Sequence, residues 1–495
     1  MKQFILGLTL LCLVISTQSQ TTFFKWIPSE FHESVAGTVQ TSNGDFIMVG
    51  EKGNNPDTVH GYCVKVNNNG EVVQTSDVNS GNRTSRFNTI NPYPGSPHRF
   101  IITGANDSLN SIHYKSALLI MVINDSLEIL QSKEIEMGNG RRIRPWKTVI
   151  VEDSIIYMLA MYDTIVDQVD FIVLKLNMQF SILNQCHHLS NYPMNFPQDI
   201  FFNHRNETLY VYYFGPVING RVSNNSVLCL DRNLGYRYGT QAEAKIMTNI
   251  SATPLNDSII YLSGSSDTEH NLTNRAIGLY LVNDSNRTLQ SSEFWESYDT
   301  VVYASKAGNT VSWDTVNSTV CIAGIFNLRH APYQNSPTWV QLVRTDFDLN
   351  IKDHVLYGGD AVYVPYCNIT TQEGGVFITG IRYDYLHPEN RRLNIFMLKT
   401  DTSGIILSLP ENQKTLMSEA MLAPNPGSEY VIALLGEQHQ SATLRLYNMN
   451  GVVVFCREIR QRQTKIELPG LAKGVYPYSF ECEGRLIGSG KWVRE

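Results

Sequence analysis

The chain has 495 residues and a formal net charge of −7, with 39 Lys and Arg against 46 Asp and Glu. The charges are dispersed, and there is no clustered basic face of the kind a nucleic-acid groove requires, so nucleic acid is not an expected partner. The eight cysteines are sparse and scattered, which is not the pattern of a disulfide framework.

Residues 1–19 read as a signal peptide. Lys2 supplies the positive start and Phe4 to Ile15 the apolar stretch, which is too short to span a bilayer. Thr17-Gln18-Ser19 offers small residues for cleavage before Gln20. Cys12 follows Leu10-Leu11 and lacks the small neighbour that a lipoprotein signal needs. No later stretch approaches about 18 unbroken apolar residues, so no transmembrane helix is expected. Cleavage leaves Cys63, Cys186, Cys229, Cys321, Cys367, Cys456 and Cys482. Cys63 and Cys321 lie in apolar runs and read as small buried hydrophobes. Cys456 and Cys482 are the one candidate pair.

Thr22 to Ile27 is strand-like and precedes a repeating region. As a closure strand on the last repeat it would protect sheet edges. The repeat has two parts. A short apolar strand, usually ending in Gly, recurs with ends at Gly50, Gly104, Ala160, Phe214, Gly264, Gly324 and Gly380, spaced by 54, 56, 54, 50, 60 and 56 residues. A second apolar strand follows a variable loop. It often ends in Lys or Arg, one residue, then Asp or Asn, as in Lys65-Val66-Asn67, Lys175-Leu176-Asn177, Arg344-Thr345-Asp346 and Lys399-Thr400-Asp401. Around the first unit, Ser34 to Gln40 precedes the first strand, and Val72 to Val78 follows the Asn67-Asn68-Asn69-Gly70 turn. Four antiparallel strands per unit at a period near 55 predict propeller blades, and seven units close a ring over residues 20–408. A pair of β-sandwiches or a β-solenoid is the alternative, but a solenoid needs shorter and more regular coils. The units also resemble the degenerate repeats of secreted bacterial propellers.

Residues 409–417 read as a polar linker, and 418–495 as a small sandwich of six or seven short strands. Four segments in order carry a resemblance: Pro424-Asn425-Pro426, Leu444 to Val453, Leu468 to Tyr476, and Lys491-Trp492-Val493. Together they resemble the type A C-terminal sorting domain of the type IX secretion system. The expected fold is therefore all-β, a seven-bladed β-propeller followed by a small immunoglobulin-like β-sandwich. The resemblance implies export across the inner membrane and then the outer membrane. Its expected partners are the translocon and a sortase-like enzyme that removes the tail, so that the product is released or linked to lipopolysaccharide at the surface. By motif match, the sorting signal is expected at Gly474, Tyr476, Lys491 and Val493. Pro477 departs from the family pattern as an expected break in the strand.

Signals for catalysis are poor. There is no nucleophile elbow, no His-Glu-x-x-His, no phosphate loop and no Cys-x-x-Cys. No cofactor, metal or catalytic residue is assigned. His187 and His188 are adjacent and on a strand would face opposite sides. Asp346, Asp348 and Asn350 have calcium-loop spacing, but they sit where every other repeat turns and lack the following Gly. Asp-Ser/Thr followed by an aliphatic residue recurs at Thr58, Ser108, Ser126, Ser154, Thr164, Ser258, Thr300 and Thr315. This is similar to the O-glycosylation sequon of exported Bacteroidetes proteins, and equally to plain turn chemistry. The loops between the second and third strands are long and variable. Those of the sixth and seventh units carry Arg329, His330, Tyr333 and Trp339, then Arg382, Tyr383, Tyr385, His387, Arg391 and Arg392. Aromatics with Arg are enriched at recognition hot spots. The expected function is a secreted or surface-anchored propeller that binds a protein or glycan. The alternatives are a hydrolase with carboxylates converging on the axial channel, or a structural surface component.

Overall fold

The computed structural model describes residues 21–494 with breaks, the longer ones at 109–115, 189–194, 216–224, 268–274, 295–301, 305–310 and 407–413. The described residues contain strands and turns and no helix, so none is long and apolar enough to cross a membrane.

Seven sheets form a ring. Blades 1 to 5 are consecutive four-stranded meanders spanning 32–78, 83–136, 142–188, 196–241 and 246–294. In blade 6 the innermost strand comes in two pieces, Val302–Ala304 and Val311–Asp314, both paired with Thr319–Phe326. Blade 7 has three strands from residues 362–399 and takes its outermost strand, Phe23–Trp26, from the start of the chain. The innermost strands of blades 7 and 1 are in contact, so the ring is closed. The second and third strands are buried on both faces between neighbouring blades, as in Phe46–Val49 and Leu118–Ile123. This is why they read as unbroken apolar runs rather than as alternation.

The glycines that end the second strand have a shared cause. The innermost strand carries a bulge at the same height in six blades, between Val35/Gly37, Phe87/Thr89, Pro145/Lys147, Pro197/Asp199, Thr248/Ser251 and Pro365/Cys367. Gly50, Gly104 and Gly380 sit opposite the residue before the bulge, where a Cβ would collide with the carbonyl oxygens of Ser34, Arg86 and Val364. These glycines therefore serve close backbone approach in mid-strand, not a turn.

The Lys/Arg-x-Asp/Asn signature is also explained. The Asx side chain caps the turn between the third and fourth strands. Asn67 Oδ1 accepts from the N–H of Asn69 and Glu71, and Asn124, Asn177, Asp231, Asp346 and Asp401 do the same in their blades. Asp346, Asp348 and Asn350 thus form a turn. The preceding base reaches the same turn of the next blade. Lys65 Nζ donates to Asp125 O at 3.2 Å, Lys175 Nζ to Asn233 Oδ1 at 2.8 Å, Lys399 Nζ to Asn68 Oδ1, and Arg344 to Thr402 O. Lys25 on the closure strand donates to Asn69 O at 2.8 Å, just as fourth-strand Gln74 does to Ser126 O. The chain start therefore fills a true fourth-strand place.

Blade 6 holds a half-buried imidazole on its fourth strand. His354 Nε2 lies 2.7 Å from Gln341 Nε2, and burial lowers its pKa to about 4. The unfolded chain binds that proton below about pH 6.5 while the folded chain does not. Stability is therefore expected to fall by up to about 3 kcal/mol between about pH 6.5 and 4. Urea unfolding at several pH values checks this, and His354→Gln should flatten the dependence.

After blade 7, Lys414–Leu416 pairs with Val355–Tyr357 as an added edge strand of blade 6, so these linker residues are structured. The tail has two sheets, Ala420–Ala423/Tyr430–Leu435/Gln463–Glu467 and Val453–Ile459/Ala442–Tyr447/Gly474–Cys482/Arg485–Arg494. They share one core that includes Leu422, Val431, Leu444, Phe480 and Trp492. Pro477 does not break its strand. It lies in the first half of Gly474–Cys482, just before the residues paired with Ala442–Tyr447, where the strand has a paired neighbour on one side and a missing N–H is tolerated. Cys456 and Cys482 are both free thiols. Cys456 is opposite Arg445, and Glu481 is opposite Thr443, so Cys482 falls beside Ala442, out of register and on the other face. Cys63, Cys229, Cys321 and Cys367 are buried, as expected of small hydrophobes.

Candidate functional site

Two ends of the ring offer sites. The first is the end where second and third strands meet, in blades 6 and 7. Tyr333 is 39% exposed there, and its ring meets Tyr383 edge-on at 5.1 Å. Tyr383 is buried in a cluster with Ile325, Val362 and Leu393, against which Tyr385 packs. Tyr366, the bulge residue of blade 7, packs on the same cluster, and burial raises its hydroxyl to about 12. Arg329, His387 and Arg392 are exposed on the same two loops, and His387 Nδ1 lies 3.4 Å from Glu389. Arg382 and Trp339 are not available in the same way. Arg382 is buried, donates to Tyr363 Oη at 3.2 Å, pairs with Asp360 at 3.3 Å, and stacks on Trp26 with its guanidinium 4.4 Å from the ring centre. It locks the closure strand to blade 7. Trp339 packs edge-on to Phe326 at 5.6 Å and lies under Gly359. His330 and Arg391 lie outside the described residues.

The second region is a cavity of about 460 Å³ towards the opposite end of the ring, beside the first-to-second strand turns of blades 4 and 5 and the innermost strand of blade 3. Its lining includes Lys147, Val149, Phe201, His204, Thr253 and Asn256, and no Asp or Glu. Its size is that of a small-molecule site. Behind the wall, Lys147 Nζ meets Asp199 Oδ1 at 2.5 Å, and Asp199 is fully buried. The N–H groups of Ile200 and Ala252 both donate to the Asp199 carboxylate at 2.6 Å. Burial raises the Asp199 pKa, against the opposing pull of Lys147 and these amides. Both residues follow the bulge of their strand, and the bulge residues continue the link. Trp146 Nε1 donates to Gln198 O at 2.9 Å, and Gln198 Oε1 accepts from Ile250 N at 3.2 Å. Sequence reading missed this pair because the bulge that places it leaves no motif.

Among the described residues, no group of three or more His, Cys, Asp or Glu is placed to hold a metal. His187 meets Tyr162 at 5.5 Å while His188 stacks on Phe171 at 4.7 Å, and burial lowers the His188 pKa. Ser126 and Ser154 are exposed in turns, and Ser258 accepts from Arg205 at 2.6 Å. Thr58, Thr300, Thr315 and the side chains of Ser108 and Thr164 lie outside the described ones.

In the tail, Gly474 and Lys491 are exposed, Val493 is half-buried and Tyr476 is buried. Tyr476 Oη donates to Ala472 O at 2.7 Å, and its ring packs on Trp492 at 6.1 Å. The fold is thus an all-β propeller carrying a C-terminal sandwich. Residues 421–492 match the secretion system C-terminal sorting domain. The tail therefore marks the protein for export by type IX secretion, to the medium or the cell surface of a Bacteroidetes-type bacterium. No curated protein matches the chain. Among solved structures, the β-propeller domain of the Trilobed protease from Pyrococcus furiosus is similar at 12% identity and TM-score 0.42, covering 79% of this chain and 100% of that one. Pyrococcus horikoshii acylaminoacyl peptidase is similar at 10% identity and TM-score 0.41, covering 86% and 60%. The WD40 domain of SCAP from fission yeast follows at 9% identity and TM-score 0.33, covering 85% and 94%.

Proposed function

We propose that the propeller is an exported binding module for a protein or glycan ligand, taken at the second-to-third strand end of blades 6 and 7. One observation carries this reading. Tyr333 presents a partly exposed ring on a fixed aromatic base, and Arg329, Arg392 and His387, the last beside Glu389, are exposed on the same two loops. A rigid aromatic anchor with cationic neighbours is the chemistry of recognition hot spots, and aromatic faces suit sugars. A Sec signal peptide at residues 1–19 fits the same route, and the exposed turn residues Ser126 and Ser154 are the accessible candidates for O-glycosylation.

The test is an array of glycans and host proteins probed with the full chain. Tyr333→Ala with Arg392→Ala is expected to weaken any bound ligand at least tenfold, since each anchor of this kind is worth about 2 kcal/mol. Unchanged binding in the double variant places the ligand elsewhere, and cleavage of an array member replaces the binding reading with a hydrolytic one.

A further inference from the structure

The cavity beside blades 3, 4 and 5 has a one-sided chemistry. Phe201, Phe202, Val149 and Pro254 give it an apolar lining, and none of the residues that line it is a carboxylate. An asparagine oxygen caps each of the two turns beside it. Asn203 Oδ1 accepts from Arg205 N at 2.9 Å, and Asn256 Oδ1 accepts from the N–H groups of Ser258 at 2.8 Å and Ile259 at 2.9 Å. An amide whose oxygen is spent on its own turn has N–H donors left to offer. Asn256 is exposed, and its NH2 group is that end. His204 stands exposed on the neighbouring turn. Its ring meets Phe202 edge-on at 5.1 Å and makes no hydrogen bond among the described residues.

The wall adds a field of matching sign. Lys147 lines the cavity, whereas the Asp199 carboxylate that it meets at 2.5 Å is fully buried and bonded by two backbone N–H groups. The ion pair is neutral as a whole, but its positive end is the one on the cavity, where it acts as a fixed dipole. A mostly apolar cavity of this size with a few placed polar groups is the usual form of a small-molecule site.

We propose that this cavity binds a small apolar carboxylate, a molecule with an aromatic or branched hydrocarbon body and one acid group. The body lies against Phe201, Phe202, Val149 and Pro254. The acid group accepts from the N–H groups of His204 and Asn256 in the field of Lys147. A carboxylate is all acceptor, which suits donors of this kind, and its charge strengthens the hydrogen bonds they make. A ligand amine would find no carboxylate among the lining residues. The site is separate from the aromatic loops of blades 6 and 7 and does not depend on what they bind.

The test is isothermal titration calorimetry of the full chain with hydrocinnamate and with hydrocinnamyl alcohol, which shares the body and lacks the charge. The acid is expected to bind with a dissociation constant of about 1 mM or tighter, and the alcohol about tenfold more weakly. Asn256→Asp keeps the oxygen that caps the turn and puts a negative charge in place of the NH2 donor. It is expected to weaken the acid by about tenfold or more, with the alcohol and the unfolding temperature unchanged. His204→Ala is expected to weaken the acid several-fold. Tyr333→Ala with Arg392→Ala, at the other end of the ring, should leave acid binding as it is. Failure of the acid to bind overturns the site, and equal binding of acid and alcohol overturns its preference for an anion. Undiminished acid binding in Asn256→Asp, or its loss in the Tyr333 and Arg392 variant, puts the carboxylate elsewhere and overturns the site as well.

Discussion

Deleting Phe23–Ile27 is expected to abolish the cooperative thermal unfolding of the propeller, and Phe23→Ala alone to cost about 3–5 kcal/mol. The reason is topological. This strand carries the chain start into the last blade, with four backbone-paired residues against Phe396–Lys399. Phe23 is buried against Phe46, Tyr62 and Phe377, and it fills the space above Gly70 of blade 1. Phe24 packs on Tyr357, Tyr363 and Phe396 with ring centres 5.1 to 6.4 Å away. Loss of both rings approaches the whole stability of an ordinary domain, about 5–15 kcal/mol. The deletion also bares the edge of Leu393–Lys399, an invitation to aggregation. Differential scanning calorimetry of the mature chain and of the deletion decides the matter. An unchanged transition temperature in the deletion means that the ring does not depend on its closure strand.

Lys147→Met should destabilise the protein by about 3–5 kcal/mol, because Asp199 is then a buried carboxylate without its cation. The double variant Lys147→Met with Asp199→Asn is expected to recover much of the loss, since a neutral amide needs no cation and its oxygen still accepts from the backbone N–H groups that bond the carboxylate. The pH dependence has a definite sign. Burial raises the folded-state pKa of Asp199 above its unfolded value. The folded state then holds a proton that the unfolded state has released, so the variant loses stability as pH rises through that range. Removing Lys147 takes away an opposing influence, so the loss should extend to higher pH than in the parent. Denaturant midpoints across pH for the parent, single and double variants measure both effects. A single variant as stable as the parent at neutral pH would show that the pair is not buried as described.

Much of this architecture was legible in the chain because it depends on local pattern. Apolar runs ending in Gly, the Asn and Asp turns and the terminal motifs are each written in consecutive residues, and they gave the blades, the closure strand and the sorting tail. Even the Lys-x-Asn signature was visible, although its purpose, a hydrogen bond to the next blade's turn, was not. Arg382 shows where sequence reading stops. In the sequence it stands in a run with Tyr383 and Tyr385 that reads as one exposed recognition loop. In the fold it is buried under Trp26, some 356 positions away along the chain. The Lys147–Asp199 pair and the glycines beneath the bulges have the same origin. A bulge changes which side chains meet across blades without altering any local motif, so only the closed ring decides those contacts. The sequence by itself determined the repeat, the turns and the export address, because each is a matter of neighbouring residues. Tertiary structure decided which polar groups are sealed in pairs and which stand exposed, because burial is fixed by surfaces that come together only when the ring closes.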